Sequence, residues 1–325
     1  MWAAVCRDYG DPSRVTTESW PVPELGPGQV GVRVHAAAVN FPDVLIIANE
    51  YQVKVPTPFV PGSEFAGVVD ALGDGVDGVA VGERVTGAGI TGAFAERAVV
   101  AASALTKIPP AVDDRHAAAF GVAHRTANHV LRSVARVLPG EEVVVLGAGG
   151  GVGLAAVQLA TVLGASVTAV ASSKEKLAAA ETYGARHLID HRAENLRAAL
   201  REQLPGGSDV VVDPVGGELA EPALRSLRWG GRFVSVGYAS GVIPRIPLNL
   251  VLLKGIAVLG FEFLGFATHA ADELQSNDTE LLGLLASGRI RPHVGAVFGR
   301  DDIVAALRHV AEGRAIGKVV VDLTA

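Results

Sequence analysis

Short apolar runs separated by turn signals fill the first third of the chain. "QVGVRVHAAAV" (Gln29–Val39), "FAGVVDAL" (Phe65–Leu72) and "ERAVVAA" (Glu96–Ala102) alternate with "ELGPGQ", "VPGSE", "LGDGVDG" and "AVGERV". Runs of this length, punctuated by Gly, Pro and Asp, predict a compact, mainly β domain. From about Asp113 the period changes. "DDRHAAAFGVAHRTANHVLRSVARVL" places Ala and Leu on one side and Arg and His on the other, at helical spacing. Strands and helices then alternate: "EVVVLG", "GLAAVQLATVLG", "SVTAVAS", "KEKLAAAETYG", "RHLID", "AENLRAALREQL", "DVVVDPVG", "LAEPALRSL", "GRFVSVG" and "GIAVLGFEF". Repeated β-α units predict a doubly wound parallel sheet with right-handed crossovers. After about Phe266, two helical stretches and a last strand, "GKVVVDL", are expected to return to the first domain.

A chain of 325 residues suits two domains. The texture change places one at 1–113 with 266–325 and the other at 114–265. Val143 to Ser173 carries no charge and has the length of a membrane span, but five glycines between Gly147 and Gly153 interrupt it. A strand, a tight turn and a helix account for it better. A net charge of -6 argues against nucleic acid as a partner. The single cysteine, Cys6, forms neither an internal disulfide nor a four-cysteine zinc site. With no basic start followed by an apolar run at the N-terminus, a cytoplasmic setting is expected.

The chemistry concentrates around "LGAGGGVG". A strand ending at Leu146 meets a helix starting near Val152, with the spacing Ala148-x-Gly150-x-x-Gly153. The turn must be sharp, admit a pyrophosphate and pack helix on strand, and each task favours residues without bulk. Gly150, Gly151, Val152 and Gly153 then offer free N–H groups and the positive dipole end of a helix to phosphates. About twenty residues further on, an NAD-binding turn carries an acidic residue for the ribose hydroxyls. Here the strand ends in Ser172-Ser173-Lys174-Glu175-Lys176, and "IDHR" closes the next one. Ser172, Ser173 and Lys176, with His191 and Arg192, suit a 2′-phosphate, so NADPH is expected over NADH. The alternative is an ordinary solvated helix start.

Together these segments resemble the zinc-independent quinone oxidoreductase (zeta-crystallin-like) branch of the medium-chain dehydrogenase/reductase superfamily. "AAAVNFPDVLIIANEYQ", "PFVPGSEFAGVV", "GEEVVVLGAGGGVGLAAVQLA", "VVVDPVGG", "GRFVSVGYASGVIPRIPLNLVLLKGIAVLG" and "GKVVV" occur in the family order, over essentially the whole chain. The resemblance implies a GroES-like first domain, a Rossmann domain inserted before the C-terminal return, and NADPH lying in a cleft between them. It also implies a homodimer in which strands near Gly255–Gly260 pair across subunits.

Zinc enzymes of that superfamily place a Cys three residues before an Asp, and later a Gly-His-Glu. Here the Cys position is Asn40, followed by Asp43, and the triplet is Gly62-Ser63-Glu64. A catalytic zinc needs three Cys, His or carboxylate ligands. The nine histidines are scattered, and His124 and His129 fall off the favoured helical spacing. No metal is therefore expected. Without a Lewis acid, a conjugated acceptor is easier to reduce than an alcohol is to oxidise, because a quinone or enone spreads the incoming charge itself.

By resemblance, Asn40 and Phe41 line the nicotinamide end, with Asn40 reaching a substrate oxygen or a water. Asp43 is expected to orient or to support. Tyr51 is expected either to stack on a flat acceptor or donate to its oxygen, or simply to pack. Thr126 matches a position near the nicotinamide carboxamide, with a helical Thr bonding its own backbone as the alternative. Tyr238, Ala239 and Ser240 follow a sheet strand, where ligands gather. Lys318 matches a position near the cofactor, with a solvated lysine as the alternative. The function expected is transfer of hydride from NADPH to a small planar quinone or enone, with no membrane partner. The rivals are an enoyl-thioester reductase and a non-catalytic NADPH-binding sensor or crystallin-like protein.

Overall fold

The turn-punctuated runs form strands because Val, Phe and small Ala suit a pleated surface that is largely buried. In a computed structural model describing residues 1–324 they are β1 (Trp2–Cys6), β2 (Val15–Ser19), β3 (Gln29–Val39), β4 (Glu64–Leu72), β5 (Arg84–Ala88), β6 (Arg97–Ala101) and β7 (Leu105–Lys107). Two short helices accompany them, α1 (Phe41–Ile47) directly after β3 and α2 (Asp114–Ala118) after β7. The predicted long helix is broken. α2 is followed by α3 (Gly121–His129), which runs into one turn of π-helix at Val130–Val134.

The alternating region follows its predicted order: β8 (Glu142–Leu146), α4 (Gly151–Val162), β9 (Ser166–Ala171), α5 (Lys174–Thr182), β10 (His187–Asp190), α6 (Leu196–Gln203), β11 (Ser208–Asp213), α7 (Ala220–Ser226) and β12 (Leu227–Ser235). Then come α8 (Leu248–Lys254), β13 (Ala257–Gly260), α9 (Phe263–His269) and α10 (Ala271–Ala286). The chain ends with β14 (Val294–Gly299), α11 (Ile303–Ala311) and β15 (Lys318–Asp322). β14 is an addition to the predicted tail. No helix among the described residues is long and apolar enough to cross a membrane.

Two compact units result, Met1–Val122 with the return from Arg291, and Ala123–Ile290. The first holds a seven-stranded sheet in the order β14-β15-β3-β4-β5-β7, with β6 also on β3. It is antiparallel except for β14 on β15. Its core includes Val32, Val34, Phe65, Phe94, Ile47, Leu307 and Val321. The second unit has six parallel strands in the order β10-β9-β8-β11-β12-β13, the Rossmann order 3-2-1-4-5-6.

The division differs from the 113/114 and 265/266 expected, and side-chain contacts explain both shifts. Thr86 Oγ1 donates to Ala117 O at 3.0 Å and ties α2 to the antiparallel sheet. Arg125 grips Asp278 with Nε and Nη2, at 3.0 and 2.6 Å, and Asn277 Nδ2 donates to Ser133 Oγ at 2.8 Å. These polar pairs hold α10 on α3 and the π turn, so the stretch from 266 to 290 stays with the parallel sheet. Composition carries no trace of such pairs.

Candidate functional site

In the antiparallel unit a fully buried polar cluster forms where β3, α1, β4 and β15 meet. β3 ends at Val39, and Asn40 then takes an extended conformation (φ -117°, ψ 154°) as the residue that starts α1. Its backbone N–H donates to Asp43 Oδ2 at 2.7 Å. Its side-chain Nδ2 donates to Ser63 Oγ at 3.1 Å and to Glu64 Oε1 at 3.0 Å. Lys318, the first residue of β15, donates from Nζ to Asn40 Oδ1 and, at 2.5 Å, to Glu64 Oε1. Glu64 Oε2 accepts from the Val122 N–H at 2.8 Å. Glu64 is 0% exposed and Lys318 4%, so this is a buried ion pair with its remaining valences filled.

One expectation changes here and one alternative falls away. Both Asn40 amide hydrogens are spent inside the cluster, so the side chain has none left for a substrate oxygen. Lys318 is buried rather than solvated. Phe41 opens α1 and is half-buried, and Tyr51 is half-buried against the apolar core of the sheet.

Burial pushes the Asp43 carboxyl up to about 7, against the pull of the Asn40 N–H, the Ser63 hydroxyl and the Lys318 ammonium. A folded-state value above the unfolded 3.8 means the folded protein holds this proton more tightly. Its stabilising contribution is present at acid pH and is lost as pH rises from about 4 through about 7. Asp43→Asn removes that titration and keeps an oxygen for the Asn40 N–H. The stability of the wild type relative to the variant should therefore fall by a few kcal/mol between pH 5 and pH 8. Denaturant midpoints of both proteins across this range measure it, and parallel curves would rule the assignment out.

In the parallel unit β8 leads into the glycine turn. Gly147 sits at φ +60°, where glycine is favoured, and Gly150 caps α4, whose first residues are Gly151, Val152 and Gly153. A Cβ on Gly153 would lie 2.1 Å from the Gly147 carbonyl oxygen, so no other residue fits between helix and turn. A Cβ on Gly149 would meet the Lys176 stem at 2.4 Å, so that side chain lies over the turn. Against expectation the Gly150 N–H is not free: it closes the turn on Gly147 O at 2.9 Å. The N–H groups of Gly151, Val152 and Gly153, in the first turn of α4, are the ones suited to a pyrophosphate.

At the ends of the neighbouring strands, Ser173 caps α5 and accepts from Lys176 N–H at 3.4 Å. Lys176 Nζ donates to Ser172 Oγ at 3.4 Å. His191 N–H bonds Ala171 O at 3.1 Å, which sets His191 beside Ser172. Burial and then the Arg192 guanidinium lower the pKa of Lys176, and the same two causes lower that of His191. Arg192 bears on both groups and Lys176 bears on His191, a concentration of positive charge suited to a phosphate. Asp190 Oδ1 accepts from the Arg192 N–H at 3.0 Å.

Tyr238, Ala239 and Ser240 lie past β12. Ala239 N–H and Ser240 N–H bond the carbonyls of Pro214 and Val215, at 3.2 and 3.0 Å, so this loop sits on the turn after β11. Thr126 is half-buried on α3. The residue overlooked in the sequence is Asp213. It is the last residue of β11 and wholly buried. A carboxylate directly after Val210–Val212 and followed by Pro-Val-Gly-Gly was the available signal.

The model of the alcohol dehydrogenase GroES-like domain matches residues 26–110, and that of the zinc-binding dehydrogenases matches 151–276. Quinone oxidoreductase-like protein 2 of Mus musculus is 37% identical over 323 residues, spanning 99% of this chain and 92% of its own. The quinone oxidoreductase of Pseudomonas aeruginosa is 33% identical over 317 residues, 96% of each chain. The Escherichia coli quinone oxidoreductase, solved with NADPH, superposes with a TM-score of 0.91 at 27% identity, covering 99% of this chain and 100% of that one. The chain belongs to the medium-chain dehydrogenase/reductase superfamily, in its quinone oxidoreductase branch. It is a nicotinamide-dependent oxidoreductase with a GroES-like unit and a Rossmann unit.

Proposed function

We propose that the chain is an NADPH-dependent reductase of quinones and related conjugated carbonyls that works without zinc. The observation that carries this reading is the buried Lys318–Glu64–Asn40 arrangement. Where zinc relatives carry Cys and His, this chain has Asn40 and Ser63. The positive charge that Glu64 meets is an ammonium, held in a filled hydrogen-bond network. An amide, a hydroxyl and a cation are poor zinc ligands. No group of three or more His, Cys, Asp or Glu able to hold a metal occurs among the described residues.

NADPH supplies a hydride from its nicotinamide when bound. The chain's part is to hold and orient. Gly151, Val152 and Gly153 offer N–H groups and the α4 dipole to the pyrophosphate. Ser172, Ser173, Lys176, His191 and Arg192 offer hydroxyls and positive charge to a 2′-phosphate. Asn40 and Asp43 fix the start of α1 and with it Phe41. Tyr51 supports that region from the core side. A conjugated acceptor takes the charge into its own π-system, so the work left is positioning and exclusion of water.

The test follows NADPH consumption with a small quinone and a short enoyl-CoA in parallel. Turnover of the quinone is expected. Turnover of the thioester alone would make the chain an enoyl-thioester reductase, and binding without turnover of either would make it a non-catalytic NADPH protein.

The same proposal includes a homodimer through the β13 edge. β13 ends its sheet, so among the described residues one row of its backbone groups has no strand partner. Beside it Leu248, Leu252 and Leu253 of α8 are 77, 78 and 67% exposed, and Trp229 is 75% exposed. Such an apolar patch beside an open strand edge fits a second copy of the chain. Light scattering should show a dimer for the wild type and a monomer for Leu252→Glu. A folded variant that stays dimeric would place the interface elsewhere.

A further inference from the structure

We infer that Asp213 is a positioning residue for the dinucleotide, locking three separate loops together at the carboxyl ends of β8, β11 and β12. The point between β8 and β11 is where the strand order of the sheet reverses, the place at which open α/β sheets bind ligands.

The lock is built outward from one carboxylate. Asp213 Oδ1 accepts from the N–H of Val215 at 2.9 Å and of Gly216 at 2.8 Å. Those bonds fold the segment Pro214–Gly217 back over the end of β11. Gly216 and Gly217 take φ values of +68° and +61°, which that reversal requires. The folded turn meets the glycine turn on one side, where a Cβ on Gly147 would lie 2.6 Å from Val215 Cγ2. On the other side it meets the loop after β12. Pro214 O and Val215 O accept from the N–H groups of Ala239 and Ser240, and Gly217 N–H donates to Val242 O at 2.9 Å. A Cβ on Gly216 would lie 2.8 Å from Val242 O and 2.9 Å from the Tyr238 ring. The glycine turn and the Tyr238–Ser240 loop thus rest on the same four residues, and Asp213 sets the shape of those four.

A side chain chosen only to close a turn could be exposed and neutral. Asp213 is 0% exposed, and its Oδ2 is sealed without a hydrogen-bond partner. Burial raises its pKa, against the two N–H bonds that favour the carboxylate. The two accepted bonds need one oxygen, so asparagine should replace it and alanine should not.

The test compares Asp213→Asn, Asp213→Ala and Gly216→Ala, measuring the dissociation constant for NADPH by nucleotide fluorescence at a temperature well below unfolding. Asp213→Asn should bind within about twofold of wild type. Asp213→Ala should bind roughly tenfold more weakly, as expected for losing the acceptor of two buried N–H groups. Gly216→Ala pushes on the Val242 backbone with Asp213 intact and should weaken binding comparably, which keeps the test open if Asp213→Ala does not fold. Unchanged NADPH affinity in a folded Asp213→Ala or Gly216→Ala protein would overturn the assignment and leave Asp213 a residue of stability alone. Equal loss in the Asn and Ala variants would overturn the hydrogen-bond lock.

Discussion

Replacing Lys318 with methionine is expected to destabilise the protein by about 3–5 kcal/mol, the usual effect of removing one partner of a buried ion pair. Glu64 is fully buried and would keep only the Asn40 amide and the Val122 N–H around its charge. The double variant Lys318→Met/Glu64→Gln removes both charges and should recover most of the loss. Urea midpoints of the four proteins in the cycle measure the coupling directly. A Lys318→Met protein within about 1 kcal/mol of wild type would mean that water reaches Glu64 and that the pair is not the sealed unit described.

The second large effect is on cofactor choice. Lys176→Ala/Arg192→Ala should raise the KM for NADPH roughly hundredfold, because the proposed 2′-phosphate site loses two charge-assisted contacts. The KM for NADH should stay near its wild-type value, since the nicotinamide, the pyrophosphate cradle and the adenine are unaffected. His191 adds a sign that can be checked. Its pKa lies below the ordinary histidine value because of burial and the neighbouring Arg192, and Lys176 adds to this. A 2′-phosphate beside it pulls the value back up, so binding NADPH near neutral pH should take up a proton, whereas binding NADH should not. Titration calorimetry in buffers of different ionisation enthalpy measures that proton. Equal proton uptake for both cofactors would move the 2′-phosphate away from these residues.

Much of this is legible in the sequence alone. The alternation of β9, α5, β10 and α6 follows from apolar periodicity, and Gly153 from the need for a residue without bulk between helix and turn. Ser172, Ser173 and Lys176 are contiguous with the strand that presents them, so their neighbourhood was readable too. Long-range contacts were not. Lys318 reaches Asn40 across 278 positions, and a lysine opening a C-terminal strand carries no mark of that burial. The same holds for Arg125 on Asp278, 153 positions apart, which keeps α9 and α10 with the parallel sheet. Asp213 escaped notice because its partners are backbone N–H groups, which every sequence possesses. The first-domain carboxylates were visible as residue types, but which of them is neutralised by Lys318 and which is desolvated is a property of packing.

The most direct test of the central claim is the rate of quinone reduction by NADPH on enzyme stripped with a strong chelator and verified metal-free by elemental analysis. An unchanged kcat/KM, insensitive to added zinc, is the predicted result. Activity lost on stripping and restored by zinc would contradict the account, because the Asn40, Ser63 and Lys318 arrangement would then not be the working state of the site.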